Sequence, residues 1–219
     1  MPPRPRQDRD RDRDRDRGSP RGEDDRPGSV AAIERPARLA PRRSNRQIMR
    51  LKILSGGNSM VGKSCIIKRF SEGRFVRKYV GTIGIDYGVK AIGIRNHDVR
   101  VNFWDMAGSP AYLEVRNEFY KDAQGMLLVF DVTNRASFEA LGRWITEAKE
   151  SGADWGSMIV YLVGNKTDLP RRVIQEAEAS AFAQTHKMQY WETSAQSGDN
   201  VSDMFLALFT SVYNRVTKA

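Results

Sequence analysis

Long apolar runs are missing from this chain of 219 residues. None approaches the roughly 18 residues that a membrane-crossing helix needs. The charged start has no apolar stretch behind it, so a secretory leader is not expected. Cysteine occurs once, at Cys65, which excludes a disulfide within the chain and fits a reducing, cytoplasmic setting. Lipid-acceptor positions are missing too. Residue 2 is Pro2 and the last residues read NRVTKA, without a cysteine to prenylate, so no lipid anchor is expected. Residues 1–47 contain no aromatic side chain on which a base can stack, which argues against specific nucleic-acid binding. The two histidines, His97 and His186, have neither metal-ligand spacing nor a nucleophile nearby in sequence, and surface positions are expected for both.

Charge is abundant, and it is uneven. Residues 1–47 hold 14 of the 36 Lys+Arg and 9 of the 27 Asp+Glu, so the tail supplies slightly more than half of the net +9. That balance favours acidic partners weakly and says nothing about fold. DRDRDRDRDR, Asp8 to Arg17, alternates sign at every position. Neither an extended nor a helical form of it buries apolar area, which predicts a disordered tail over 1–47. RPARLAPRR, residues 35–43, reads as a solvated linker or as a weak contact for RNA, an acidic protein surface or anionic lipid. Core-forming runs begin near Ile48 and leave residues 48–219 for one domain of ordinary size.

RLKILSGGNSMVGKSCIIKRF, residues 50–70, carries the most information. Leu51 and Ile53 read as a strand, and Cys65, Ile66, Ile67 and Phe70 as the buried side of a helix. Between them Gly57-Asn58-Ser59-Met60-Val61-Gly62-Lys63-Ser64 fits G-x-x-x-x-G-K-[ST]. A loop at a helix N-terminus points several N–H groups inward, which suits a phosphate. Gly57 and Gly62 permit turns that a Cβ obstructs. Lys63 brings charge to the β- and γ-phosphates, and the Ser64 hydroxyl can hold Mg²⁺.

Four further stretches follow in the order one nucleotide pocket requires. YVGTIGID, residues 79–86, offers Thr82 to Mg²⁺ and the γ-phosphate. WDMAG, residues 104–108, ends an apolar strand, with Asp105 beside the metal through a water and the Gly108 N–H facing a γ-phosphate oxygen. VYLVGNKTD ends in Asn165-Lys166-Thr167-Asp168. A carboxylate such as Asp168 accepts both N–H donors on one edge of guanine. Adenine lacks them, a penalty of about 1–3 kcal/mol. Lys166 can pack its stem over the base, while Ser194 and the Ala195 N–H in YWETSAQSG can support Asp168 and the base oxygen.

With TIGID, WDxAG, NKxD and ETSA in this order, the chain from about Ile48 to Ala219 resembles the Ras superfamily, and within it the Rab-like branch. KSCIIKRF, KYVGTIGIDYGVK, VNFWDMAG and EVRNEFYKD resemble the Rab-like GTPases often fused to a C-terminal J domain. The resemblance implies guanine-nucleotide binding at Gly57, Asn58, Ser59, Met60, Val61, Gly62, Lys63, Ser64, Cys65, Phe75, Tyr79, Thr82, Gly108, Asn165, Lys166, Asp168, Ser194, Ala195 and Gln196. Phe75 falls where the family stacks an aromatic ring on guanine. Mg²⁺ is implied at Ser64, Thr82 and Asp105. Tyr87, Trp104 and Phe119 fall where Rab proteins keep an aromatic trio for protein effectors. No His-Pro-Asp tripeptide occurs before Ala219, so a J-less form without a link to Hsp70 is expected. The family's association with ciliated or flagellated organisms hints at a basal body or flagellum.

The segments alternate strand and helix. Strands are expected over 50–56, 88–95, 98–104, 124–131, 158–164 and 189–193, and helices over 63–71, 112–121, 136–151, 173–185 and 199–216. Strands 88–95 and 98–104 form a hairpin about Asn96-His97. The whole reads as an α/β fold of the P-loop, small G-protein type: a mostly parallel six-stranded sheet with one antiparallel edge hairpin and helices on both faces. Ligand loops then gather at the strand C-ends. The stripe Phe205, Leu208, Phe209, Val212 is expected in the core, and a monomer is expected.

Ser109 stands where this family usually holds a water-orienting glutamine. It is too short for that task, and Pro110 stiffens the loop. Met106 stands where Thr is usual, and Met60 narrows the room near the phosphates. Glu114, one turn into the next helix, is the remaining group with any prospect of reaching the water. The expected function is a GTP- and Mg²⁺-binding switch with weak intrinsic hydrolysis that recruits effectors in the GTP state. The alternatives are a cycling GTPase of vesicle trafficking with partner-dependent turnover, and a scaffold indifferent to nucleotide. A kinase is disfavoured, since neither a second-substrate lid nor an extra acidic base is evident.

Overall fold

A computed structural model describes residues 48–77 and 80–218. The expected disordered tail and Tyr79 lie outside these residues. β1 (Ile48–Gly56) leads through the glycine-rich loop into α1 (Lys63–Glu72). β2 (Ile85–Ile94) and β3 (His97–Met106) form a hairpin, followed by a 3₁₀ turn at Pro110–Tyr112 and the short α2 (Leu113–Asn117). Then come β4 (Gly125–Asp131), α3 (Arg135–Glu139), α4 (Leu141–Glu150) and β5 (Ile159–Asn165). α5 (Glu176–Thr185), β6 (Gln189–Thr193) and α6 (Val201–Val216) complete the domain.

The strands lie in the order β2-β3-β1-β4-β5-β6, with β2 antiparallel to β3 and every other pair parallel. Each residue of β4 is buried, because alternate side chains enter two separate cores. Leu127 and Val129 meet the α6 stripe Phe205, Leu208, Phe209 and Val212, each fully buried as expected. Met126, Leu128 and Phe130 meet Phe138, Trp144 and Ile145 from α3 and α4. Among the described residues no helix is long and apolar enough to cross a membrane.

Four elements differ from expectation by more than a shift of one or two residues at an end. β2 begins three residues early, and the hairpin turns on Arg95-Asn96, because Ile94 already pairs with His97 and Arg95 takes the left-handed backbone at φ +51°. The helix expected over 112–121 shrinks to α2, since Pro110 and the Ser109 cap start a 3₁₀ turn first. The helix expected over 136–151 is two. Ala140 holds φ −72° and ψ −12°, and its carbonyl accepts from both Arg143 and Trp144, which tightens one turn. α5 starts at Glu176, after a loop whose Val173 and Ile174 N–H groups both donate to the Val132 carbonyl. His97 is half-buried, with Nδ1 2.7 Å from the Tyr213 hydroxyl, and His186 is half-buried at the end of α5, so neither is a free surface residue.

Candidate functional site

Strand register assembles the site. Ser55 pairs with Asp105 across β1 and β3, and Asp131, Asn165 and Thr193 form one row across the C-ends of β4, β5 and β6. The phosphate loop leaves β1 beside the first pair. Its glycines are required by space as well as by backbone: a Cβ on Gly57 (φ +128°) would stand 2.1 Å from the Val129 carbonyl oxygen, and one on Gly62 (φ +100°) 2.2 Å from Asn165 Nδ2. Gly108 approaches the loop from the opposite wall, where a Cβ would fall 2.2 Å from the Ser59 nitrogen. Met60 is 64% exposed and left-handed at φ +68°, a costly backbone for a side chain.

Lys63 is buried, and its ammonium donates to the carbonyls of Gly57 (2.7 Å) and Asn58 (3.0 Å), which holds it in the hollow of the loop. Burial lowers its pKa to about 8; Asp105 opposes the fall and Arg116 adds to it. Asp105 is buried as well and accepts from Ser55 Oγ at 2.6 Å and from Ser64 Oγ. Burial raises its pKa against the pull of those two hydroxyls and of Lys63. Ser64 Oγ lies 3.1 Å from Thr82 Oγ1. The three expected metal-associated residues therefore meet at one corner. Their oxygens form the hard donor set that suits Mg²⁺, which keeps waters and takes the rest of its shell from phosphate.

A cavity of about 300 Å³ opens over this corner. Its walls include Ser59, Met60, Gly62, Lys63, Ser64, Cys65, Phe75, Thr82, Gly108, Asn165, Lys166, Asp168, Ala195 and Gln196. Ser194 stands behind the wall, fully buried, and donates to Asp168 Oδ1 at 2.6 Å. Lys166 is tied to Asp131 at 2.6 Å. Gly57, Asn58 and Val61 shape the loop from outside the cavity: Val61 is core, and Asn58 Oδ1 accepts from the Trp144 indole at 2.9 Å. Asn165 works as a tie. Its Nδ2 donates to the Val61 carbonyl (2.8 Å), and its Oδ1 accepts from Ala195 N–H (3.1 Å) and Thr193 Oγ1 (3.3 Å). The Ala195 N–H expected to meet a base oxygen thus goes to Asn165.

Sequence reasoning missed Lys68, Val76, Arg77, Val80 and Leu169, which also line the cavity. It missed Arg116 too, only 3% exposed, whose guanidinium grips Glu147 at 2.7 and 2.8 Å. Proximity to the loop motifs was the one available signal for the first group; a basic residue on a short helix offered none for Arg116. Ser109 caps the 3₁₀ turn, its Oγ accepting from Ala111 N–H at 3.3 Å. The aromatic trio is contiguous: Tyr87 and Trp104 rings lie 4.7 Å apart, and Trp104 and Phe119 4.9 Å.

A strand, a glycine-rich anion loop, a buried lysine and a hydroxyl–carboxylate corner define a P-loop nucleotide-binding protein. The chain belongs to the Ras family, whose sequence profile matches residues 52–214. The protein called DnaJ homolog subfamily C member 27 in Danio rerio is 50% identical over 175 residues, covering 78% of this chain and 64% of that protein. The proteins of the same name in Gallus gallus and Homo sapiens are 47% and 46% identical over 178 and 181 residues. They are matched over 79% and 81% of this chain and 65% of their own length. The chain thus spans a little less than two thirds of these relatives. Their name agrees with the resemblance to the branch fused to a J domain.

Proposed function

We propose that this chain is a molecular switch that binds GTP with Mg²⁺ and cleaves it slowly. Asp168, oriented by Ser194, selects guanine, and Phe75 supplies an aromatic wall. Lys63 and the loop N–H groups hold the phosphates. Bound Mg²⁺ would neutralise phosphate charge beside Ser64, Thr82 and Asp105.

The observation that carries slow cleavage is the placement of Ser109. Its hydroxyl is engaged with Ala111 N–H and its carbonyl accepts from Arg116 at 2.6 Å. A water-orienting group at this position needs a longer side chain with a free donor and acceptor. The GTP state then persists and offers Tyr87, 51% exposed, with Trp104 and Phe119 to protein effectors. Action in the cytoplasm, at a basal body or flagellum, extends the proposal from the resemblance.

Identification of the nucleotide carried by protein purified from cells, joined to single-turnover GTP cleavage, tests the reading. Bound GTP and slow cleavage are expected. Bound GDP with a rate matching glutamine-bearing relatives overturns it. The second reading, a trafficking GTPase cycled by partners, is favoured by Val80, Ile83, Leu113 and Val115, apolar side chains left exposed for a partner to cover.

A further inference from the structure

We infer that Arg116 is a positioning residue: buried against Trp144 and gripped by Glu147, it sets where Gly108 stands against the phosphate loop, and through Gly108 it sets the preference for a triphosphate over a diphosphate. The inference rests on the nucleotide-binding reading above and deepens it.

The contacts form a closed ring. Arg116 Nη1 donates to the carbonyls on either side of Gly108, those of Ala107 (3.0 Å) and Ser109 (2.6 Å). The other guanidinium nitrogens form the two-pronged pair with Glu147, and Tyr120 donates to the same carboxylate at 2.8 Å. The guanidinium carbon lies 4.6 Å from the Trp144 ring centre, and the edge of that ring donates Nε1–H to Asn58 in the phosphate loop. Gly108 closes the ring by direct packing, since no Cβ fits between it and the Asn58–Ser59 peptide. α4 therefore holds both walls of the phosphate site through one stacked pair of side chains.

A guanidinium can hold two carbonyls and one carboxylate together because its five donors lie in a rigid plane. Burial makes that arrangement a single state, for a guanidinium with unmet donors inside the protein is costly. The Gly108 N–H, the group that meets a γ-phosphate oxygen in the proposed function, takes its place from these bonds. A diphosphate does not reach that N–H. Loosening Arg116 therefore penalises the triphosphate selectively.

The test compares the full chain with Glu147→Gln and with Trp144→Phe. The first keeps the shape of the ion pair without its charge. The second keeps the stacking on Arg116 and loses the hydrogen bond to Asn58. Affinities for GDP and for a non-hydrolysable GTP analogue are measured with Mg²⁺, alongside melting temperature and amide exchange at residues 107–113. The analogue is expected to weaken roughly 5- to 50-fold in Glu147→Gln and less in Trp144→Phe, the usual size of a coupling between two groups. GDP affinity is expected to hold in Glu147→Gln, with faster exchange over 107–113. Equal weakening of both nucleotides in Glu147→Gln, or no change in either variant, overturns the inference and leaves Arg116 a structural residue. If the unaltered chain binds neither nucleotide, the proposed function itself falls, and this inference with it.

Discussion

Asn165 Nδ2 donates to the Val61 carbonyl at 2.8 Å, joining the end of β5 to the phosphate loop 104 residues away in sequence. The same side chain accepts from Thr193 and Ala195. It is fully enclosed, so every bond it loses leaves a partner unmet. Asn165→Ala is expected to destabilise the domain by about 1–3 kcal/mol and to speed nucleotide release. Chemical denaturation and the dissociation rate of a fluorescent guanine nucleotide check both parts. Unchanged release despite the lost stability would show that the tie serves only the fold.

Two substitutions at Ser109 separate its roles. Ser109→Gln restores a side chain long enough to align water and is expected to accelerate single-turnover GTP cleavage. Ser109→Ala removes only the cap, at a cost of about 0.5–2 kcal/mol, and is expected to leave the cleavage rate alone. A slower Ser109→Ala protein would assign the hydroxyl a part in the chemistry.

Lys63 makes stability depend on pH in the nucleotide-free chain. Its pKa is 10.5 as an ordinary lysine and about 8 in the fold. Between those values the unfolded chain binds more protons than the folded one, so stability rises with pH across that window. Below it the full cost of burying the ammonium is present. Tyr120 works the other way above its ordinary value of 10, because burial and Glu147 raise its phenol pKa. The melting temperature of nucleotide-free protein should therefore climb between pH 8 and about 9.5, a rise to which Lys52 adds and which the Cys65 thiol, raised from 9.0 by burial, partly offsets. Lys63→Met should flatten the climb, melt higher at pH 7 and fail to bind triphosphate. An equal slope in the variant would place the titration elsewhere.

Asp105→Asn tests the proposed Mg²⁺ site. The carboxyl is buried beside Ser55 and Ser64, and the amide removes a charge that burial disfavours. The variant should fold at least as stably and lose the Mg²⁺-dependent part of its stabilisation by GTP, read as the shift in melting temperature with and without chelator. A full Mg²⁺-dependent shift in the variant would remove Asp105 from the metal's surroundings.

The aromatic trio divides by exposure. Tyr87→Ala, at a site 51% exposed, should alter stability by no more than about 0.5 kcal/mol while weakening capture of effectors by GTP-loaded protein. Trp104→Ala, half-buried between Tyr87 and Phe119, should cost about 2 kcal/mol in addition. Denaturation and pull-down from lysate, each with GTP- and GDP-loaded protein, read the two effects.

The phosphate loop, the candidate residues Ser64, Thr82 and Asp105, the candidate pair Asp168 and Ser194, and the layered α/β order were all named from the linear chain. Each residue sits in a short motif or an apolar period, both properties of neighbours in sequence, and the order of the motifs together with the resemblance implied which of them meet. The hairpin turn at Arg95-Asn96, the break at Ala140 and the late start of α5 were not legible, because pairing register and loop hydrogen bonds settle them over local preference. Nor were the duty of Asn165 as a tie or the pair Arg116–Glu147. A charged residue on a short helix reads as solvated until folding brings α4 beside it and removes the water. Packing then turns an arginine 31 residues from its partner into the group that spans Ala107, Ser109 and Glu147. Motif chemistry is local and can be read along the chain, whereas burial is collective and exists only once the layers have closed.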